Sequence, residues 1–196
     1  MALRVCSGLL LAALAGLGPA EGQAQAVMRI DPAHSRAEFG VRVFLLRRIE
    51  GRFDYLQGEL RQTSPGHYRI HVQVAVQSLV MRQPDHARWA RSEEFFDAQR
   101  YPWIRFEAED VAKSLLRDGG ELPGWLVLRG VRQPVRFEVL PARCPRPGLD
   151  CPVEAQGEVE RSRFGMDARR WAVSDRVRLR LHVVFFPAVD AAGAEG

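Results

Sequence analysis

Few side chains in this sequence stand at spacings that could do chemistry. Asp31, His34 and Ser35 are close neighbours, but a nucleophilic triad is an arrangement in space and is not made by adjacency along the chain. No G-x-S-x-G, phosphate-loop or dinucleotide-binding fingerprint is present. The histidines, at 34, 67, 71, 86 and 182, are scattered, and a metal site would need several of them to converge. These residues predict neither catalysis nor a bound metal. The cysteines are more informative. Cys144 and Cys151 flank the turn-rich stretch Pro145-Arg146-Pro147-Gly148-Leu149-Asp150. They lack the C-x-x-C spacing of a redox pair, and no histidine stands beside them to complete a zinc set. A disulfide stapling a hairpin tip is the expected outcome in an oxidising compartment.

The first 26 residues point to that compartment. Arg4 supplies a positive charge, Gly8 to Leu17 form an apolar run, Pro19 breaks it, and Ala24-Gln25-Ala26 offers small residues for cleavage. This is the layout of a secretory signal. The run is shorter than the roughly 20 residues that span a bilayer, and Cys6 lies too early for a lipoprotein anchor. Cleavage after Ala26 is expected, giving a periplasmic or secreted protein from which Cys6 is lost and an even cysteine pair remains. The expected organisation is a signal at 1–26, one β domain at 27–187 and a flexible tail at 188–196.

The elements of that domain follow from period-two alternation. Phe39, Val41 and Val43 share one face of a run from Ser35 to Phe44; Tyr68, Ile70, Val72, Val74 and Val76 share one face of the next clear run. Val177, Leu179, Leu181, Val183 and Phe185 do the same near the end, opposite Arg176, Arg178, Arg180 and His182. Shorter runs surround Phe53, Ile104–Ala108, Leu126–Leu128, Val135–Val139 and Ala155–Val159. About eight antiparallel strands with one apolar face are predicted. Pro84 to Phe96 lacks the alternation and reads as one short helix. The net charge is +4, carried almost entirely by arginine, with Lys113 the single lysine. The arginines alternate with acidic and apolar residues and do not form a stripe, so a solvated strand face fits better than a nucleic-acid surface. A mildly basic surface would also favour anionic lipid head groups. Periodicity leaves a sandwich and a closed barrel equally open.

An ordered set of motifs resembles YceI-like domains. It comprises Ile30-Asp31-Pro32-Ala33-His34-Ser35 with Phe39 and Val41, then Gly51-Arg52-Phe53 with Gly58. Arg91-Ser92-Glu93-Glu94-Phe95-Phe96-Asp97 with Tyr101-Pro102 and Phe106 is the most specific. Leu128-Arg129-Gly130-Val131 with Pro134-Val135, Arg161-Ser162-Arg163-Phe164-Gly165-Met166, and Val173-Ser174-Asp175 complete it, over residues 29–185. The resemblance implies an all-β, lipocalin-like antiparallel barrel of about eight strands with a short helix near the mouth. It implies an exported protein that holds a polyisoprenoid, an isoprenoid quinone or a similar long amphiphile, with no catalytic residues and no other cofactor. Trp89-Ala90, Trp125 and the cysteine loop depart from the family's pattern.

On that reading the apolar face lines a lumen: Phe39, Val41, Val43, Phe53, Ile70, Val72, Val74, Phe106, Leu126, Leu179 and Leu181, with Trp89 and Phe96 from the helical segment. Ordinary core packing would use the same residue types. Trp89 is expected at the mouth and Phe95 as a plug. Arg91, Asp97 and Arg161 are expected to hold loops through salt bridges rather than to meet a ligand head group. The expected partner is a long-chain lipid, with a membrane surface or a membrane cytochrome as further candidates, and a homodimer is left open. The competing functions are a redox accessory presenting a quinone to a cytochrome and an interaction module with a solid core. Cavity volume separates the last of these from a carrier.

Overall fold

The structure, a computed structural model, describes residues 26–44 and 46–187. The signal-like segment up to residue 25 and the tail from 188 therefore lie outside the described residues. Eleven antiparallel strands form one curled sheet: β1 (Val27–Arg29), β2 (Arg36–Val43), β3 (Arg47–Phe53), β4 (Leu56–Ser64), β5 (His67–Ala75), β6 (Leu79–Met81), β7 (Trp103–Ala112), β8 (Gly120–Leu128), β9 (Val131–Val139), β10 (Val153–Glu160) and β11 (Val173–Val183). Their order across the sheet is β1-β4-β5-β7-β8-β9-β10-β11-β2-β3-β6. A bridge between Ile30 and Phe185 ties the end of β1 to the chain just past β11, so the sheet curls into a half-barrel around the apolar face. Two short helices, α1 (Pro84–Arg91) and α2 (Leu115–Asp118), lie at opposite ends.

The strand count corrects the expected eight, and the cause is local. Three runs of chain each break into two strands, at Asp31-Pro32, at Asp54-Tyr55 and at a 3-10 turn over Val76–Ser78. Pro32 has no amide to continue a ladder. The other two bends meet at Ser78. Its hydroxyl accepts from the Tyr55 amide at 3.1 Å and donates to the Ala75 carbonyl at 2.7 Å. Both sides of that bend stay buried through Val76 and Leu79, so alternation runs across it without a gap. The helix is also shorter than expected, and it is one of two. Pro84 opens it at the first helical position, where a missing amide costs nothing. Arg88 and Arg91 sit in its last turn, where they complement the helix dipole. The Ser92 hydroxyl then donates to the Trp89 carbonyl, and the chain leaves the helix before Phe95 and Phe96.

The register places the apolar residues in continuous rows. Val72 faces Phe106, which faces Leu126; Leu179 faces Phe39, which faces Gly51. The outer face carries the arginines expected there, paired across strands: Arg176 and Arg178 with Glu158, and Arg180 with Glu38 and Glu50. Exposed pairs of this kind are each worth about 0–1 kcal/mol, so the fold rests on the inner rows and not on them.

Candidate ligand-binding site

The inner rows do not meet in the middle. They border a cavity of about 200 Å³, lined almost wholly by apolar side chains and reaching from α1 to α2. Phe39, Val41, Val43, Phe53, Ile70, Val72, Val74, Trp89, Phe96, Phe106, Leu126, Leu179 and Leu181 all stand in its wall. The strand alternation and the helical segment together had marked these thirteen. The sequence reading missed the ends of the cavity, where Leu115 and Leu116 of α2, Leu122 and Phe185 close one side and Met166 and Val173 the other. Phe137 was also missed, although it stands within the alternation at Val135–Val139. A single water needs roughly 10–15 Å³, and apolar cavities near 150 Å³ stay dry and accept hydrophobic guests. This wall therefore suits a hydrocarbon occupant and not a water cluster. A broader groove of about 870 Å³ runs outside, beside Trp125 and the splayed ends of β9 and β10. It is mixed in polarity, so it suits an apolar chain less than the inner cavity does.

What keeps the interior open is the position of the rings. Phe39 lies across Gly51, its direct partner on β3, and a Cβ there would overlap the ring. Phe137 lies over Gly157 in the same way, within 2.8 Å of where a Cβ would stand. Glycine at these wall positions lets a phenyl ring lie against the sheet instead of standing across the lumen. Phe96, between α1 and β7, packs edge-on against Phe39 and Phe53, with ring centroids 5.7 and 5.5 Å away.

At the α1 end, Trp89 meets Phe95 edge-on at 4.3 Å and donates its indole N–H to Glu94. Both rings contact the cavity, so the division into a plug and a mouth is a shared edge. Arg161 also lines this end and is buried. Its Nε donates to the Ser174 carbonyl at 3.0 Å, Nη2 to Val173 at 2.9 Å and Nη1 to Met166. The expected salt bridge is replaced by three backbone carbonyls. Desolvation lowers the arginine's pKa, opposed by the nearby Asp175 carboxylate. Asp175 is itself pushed up by burial, but two hydrogen bonds from Ser162 and the field of Arg161 outweigh this and hold it below the usual carboxylate range. Arg91 works similarly, donating to the Leu79 carbonyl at 2.8 Å and binding α1 to β6. Arg129 donates to the Phe95 carbonyl.

The residues first considered for chemistry are not assembled for it. His34 pairs with Asp31 at 2.6 Å on the surface, while the buried Ser35 hydroxyl faces the Val184 backbone. Trp125 lies outside the lumen, with Arg132 stacked on it at 4.0 Å. Cys144 and Cys151 form the expected disulfide. Among the described residues no group of three or more histidine, cysteine or acidic side chains could hold a metal, and no helix is long and apolar enough to cross a membrane.

Comparison with known proteins gives this architecture relatives. BcnA of Burkholderia cenocepacia superposes with a TM-score of 0.65 at 18% identity, over 79% of this chain and 98% of that one. A polyisoprenoid binding domain from Saccharophagus degradans, implicated in plant cell wall breakdown, superposes at 0.62 and 15% identity, over 85% and 100%. The Campylobacter jejuni YCEI protein gives 0.53 at 17% identity, over 70% and 84%. No curated protein matches the sequence. At these identities the structures share the fold alone. The sequence itself matches the model of the YceI-like domain across residues 28–185, the whole of the half-barrel and its lumen, and the chain therefore belongs to the YceI-like family.

Proposed function

We propose that this protein is an exported lipid-binding carrier or reservoir that holds one long apolar chain, a polyisoprenoid, isoprenoid quinone or similar amphiphile, and does no chemistry on it. The observation that carries this reading is the almost wholly apolar cavity running from α1 to α2. Burying hydrocarbon is worth about 0.8 kcal/mol per CH₂, so a chain of several five-carbon units could bind through its tail without polar contacts. The open interior favours this reading over a solid-core module. The polyisoprenoid binding domain among the structural neighbours supports the class of ligand, and the signal-like N-terminus and the disulfide support export.

Native mass spectrometry of gently purified protein, followed by solvent extraction, tests it. The expected result is one lipid adduct per chain that extraction releases as a prenyl-chain compound. Protein of bare polypeptide mass, with nothing in the extract, would overturn the reading.

A further inference from the structure

The α1 end of the half-barrel carries an apolar patch that faces solvent. Phe44 and Leu46, at the turn between β2 and β3, are 58% and 92% exposed, and Trp171, between β10 and β11, is 76% exposed. The Phe44 and Trp171 rings lie 5.7 Å apart, and the Phe44 amide donates to the Ala172 carbonyl at 2.7 Å. The two loops therefore present one surface. Phe44 has φ +50°, a conformation that bulky side chains rarely adopt, so an exposed aromatic occupies a position that glycine or asparagine would fill with less strain. The patch is continuous with the lumen, because Val43 and Val173, beside it in the chain, line the cavity.

Its surroundings are cationic. Arg42, Arg47, Arg48, Arg169 and Arg170 stand on the same two segments. Arg169 pairs with Glu94 at 3.1 Å and Arg170 with Asp167 at 2.5 Å. Arg42, Arg47 and Arg48 are exposed on the strands that flank the turn. A second copy of the chain seated on this patch would bring the same arginines face to face, which opposes self-association. An anionic lipid surface matches both features. Tryptophan settles at the head-group level, phenylalanine and leucine bury at the head-group/acyl boundary, arginines lay their stems along apolar surface with the charge on phosphate, and stable peripheral binding takes an apolar and an electrostatic signal together.

We propose that Phe44, Leu46 and Trp171, with the arginines around them, dock the half-barrel on an anionic bilayer with the α1 end of the lumen toward the lipid. The purpose of the docking rests on the lumen reading above, but the docking itself is measurable whatever the lumen holds. Co-sedimentation of the full chain with vesicles of phosphatidylcholine alone, and of phosphatidylcholine with phosphatidylglycerol, is the test. The expected result is binding to the mixed vesicles only, weakened by salt. Leu46→Asp should reduce it by about tenfold or more, as should Arg47→Glu with Arg48→Glu, while Trp125→Ala on the outer groove leaves it unchanged. A Leu46→Asp protein that keeps its lumen adduct in native mass spectrometry but loses the vesicles supports the docking. An empty lumen in a protein that still binds vesicles overturns the lumen reading and leaves the docking supported. No binding to mixed vesicles, equal binding by Leu46→Asp, or a concentration-dependent dimer without vesicle binding would each overturn the docking.

Discussion

The two ends of the lumen are closed by different physics. At the α2 end the disulfide holds the loop between β9 and β10, and Phe185 lies against Gly148 of that loop, where a Cβ would overlap the ring. The Phe185 amide donates to the Gly148 carbonyl at 2.7 Å. A covalent bond, a ring lodged on a bare backbone and a ladder bond close this end together. At the α1 end no disulfide crosses the rim among the described residues. Arginines reach backbone carbonyls there, Trp89 and Phe95 pack edge to edge, and Phe96 packs against Phe39 and Phe53. Closures held by hydrogen bonds and ring packing open at lower free energy than one held by a covalent bond. If the lumen takes up a chain, the α1 end is the expected point of entry, and four variants test the difference between the ends.

Arg161→Met should have the largest effect. It leaves three carbonyls at the rim without their donor, a loss of about 3 kcal/mol in stability, read from the midpoint of urea unfolding. A loss under about 1 kcal/mol would show that the α1 rim is held by something else. Cys144→Ser with Cys151→Ser should cost about 2.5 kcal/mol on the chain-entropy estimate for so short a loop. If the two ends act independently, it should leave lipid occupancy and vesicle binding unchanged. Gly51→Ala should cost about 1–2 kcal/mol and, more tellingly, drive the Phe39 ring into the lumen. The extracted lipid should then shift to shorter chains or fall in occupancy. Asp175→Asn should have the smallest effect, about 1 kcal/mol at neutral pH. Because the folded carboxyl titrates below its unfolded value, its contribution is fully present above about pH 4 and is lost as pH falls through the lower folded value. The wild type should therefore lose more stability than Asp175→Asn in that acid range, as measured by parallel thermal melts.

Much of the wall was legible because strand burial has a period of two. Tyr68 to Val74 alternate without interruption, and each of the apolar residues in that run is buried. β4 was not legible. Its buried Leu56 and Leu60 are separated by Gly58, which has no side chain to mark the inner face and lies where the His71 backbone leaves no room for one. The bend between β5 and β6 was hidden because Val76 and Leu79 are buried and apolar on both sides of the turn. The rings that lie against glycine depend on cross-strand register, which a single chain does not display until it folds. The same holds for Arg161. Its type and motif marked it as a charge needing partners, but only the fold shows that those partners are the carbonyls of Met166, Val173 and Ser174. The pairing of Phe44 with Trp171 was not legible, because it follows from where two distant turns meet.

Whether the lumen binds one long apolar chain is decided by titrating delipidated protein with a fluorescent polyprenyl probe, beside Val72→Trp, which adds bulk to the cavity wall. Saturation at one probe per chain is expected, with binding lost in Val72→Trp protein that remains folded by circular dichroism. Equal binding by that folded variant would place the chain outside the lumen and overturn the carrier reading.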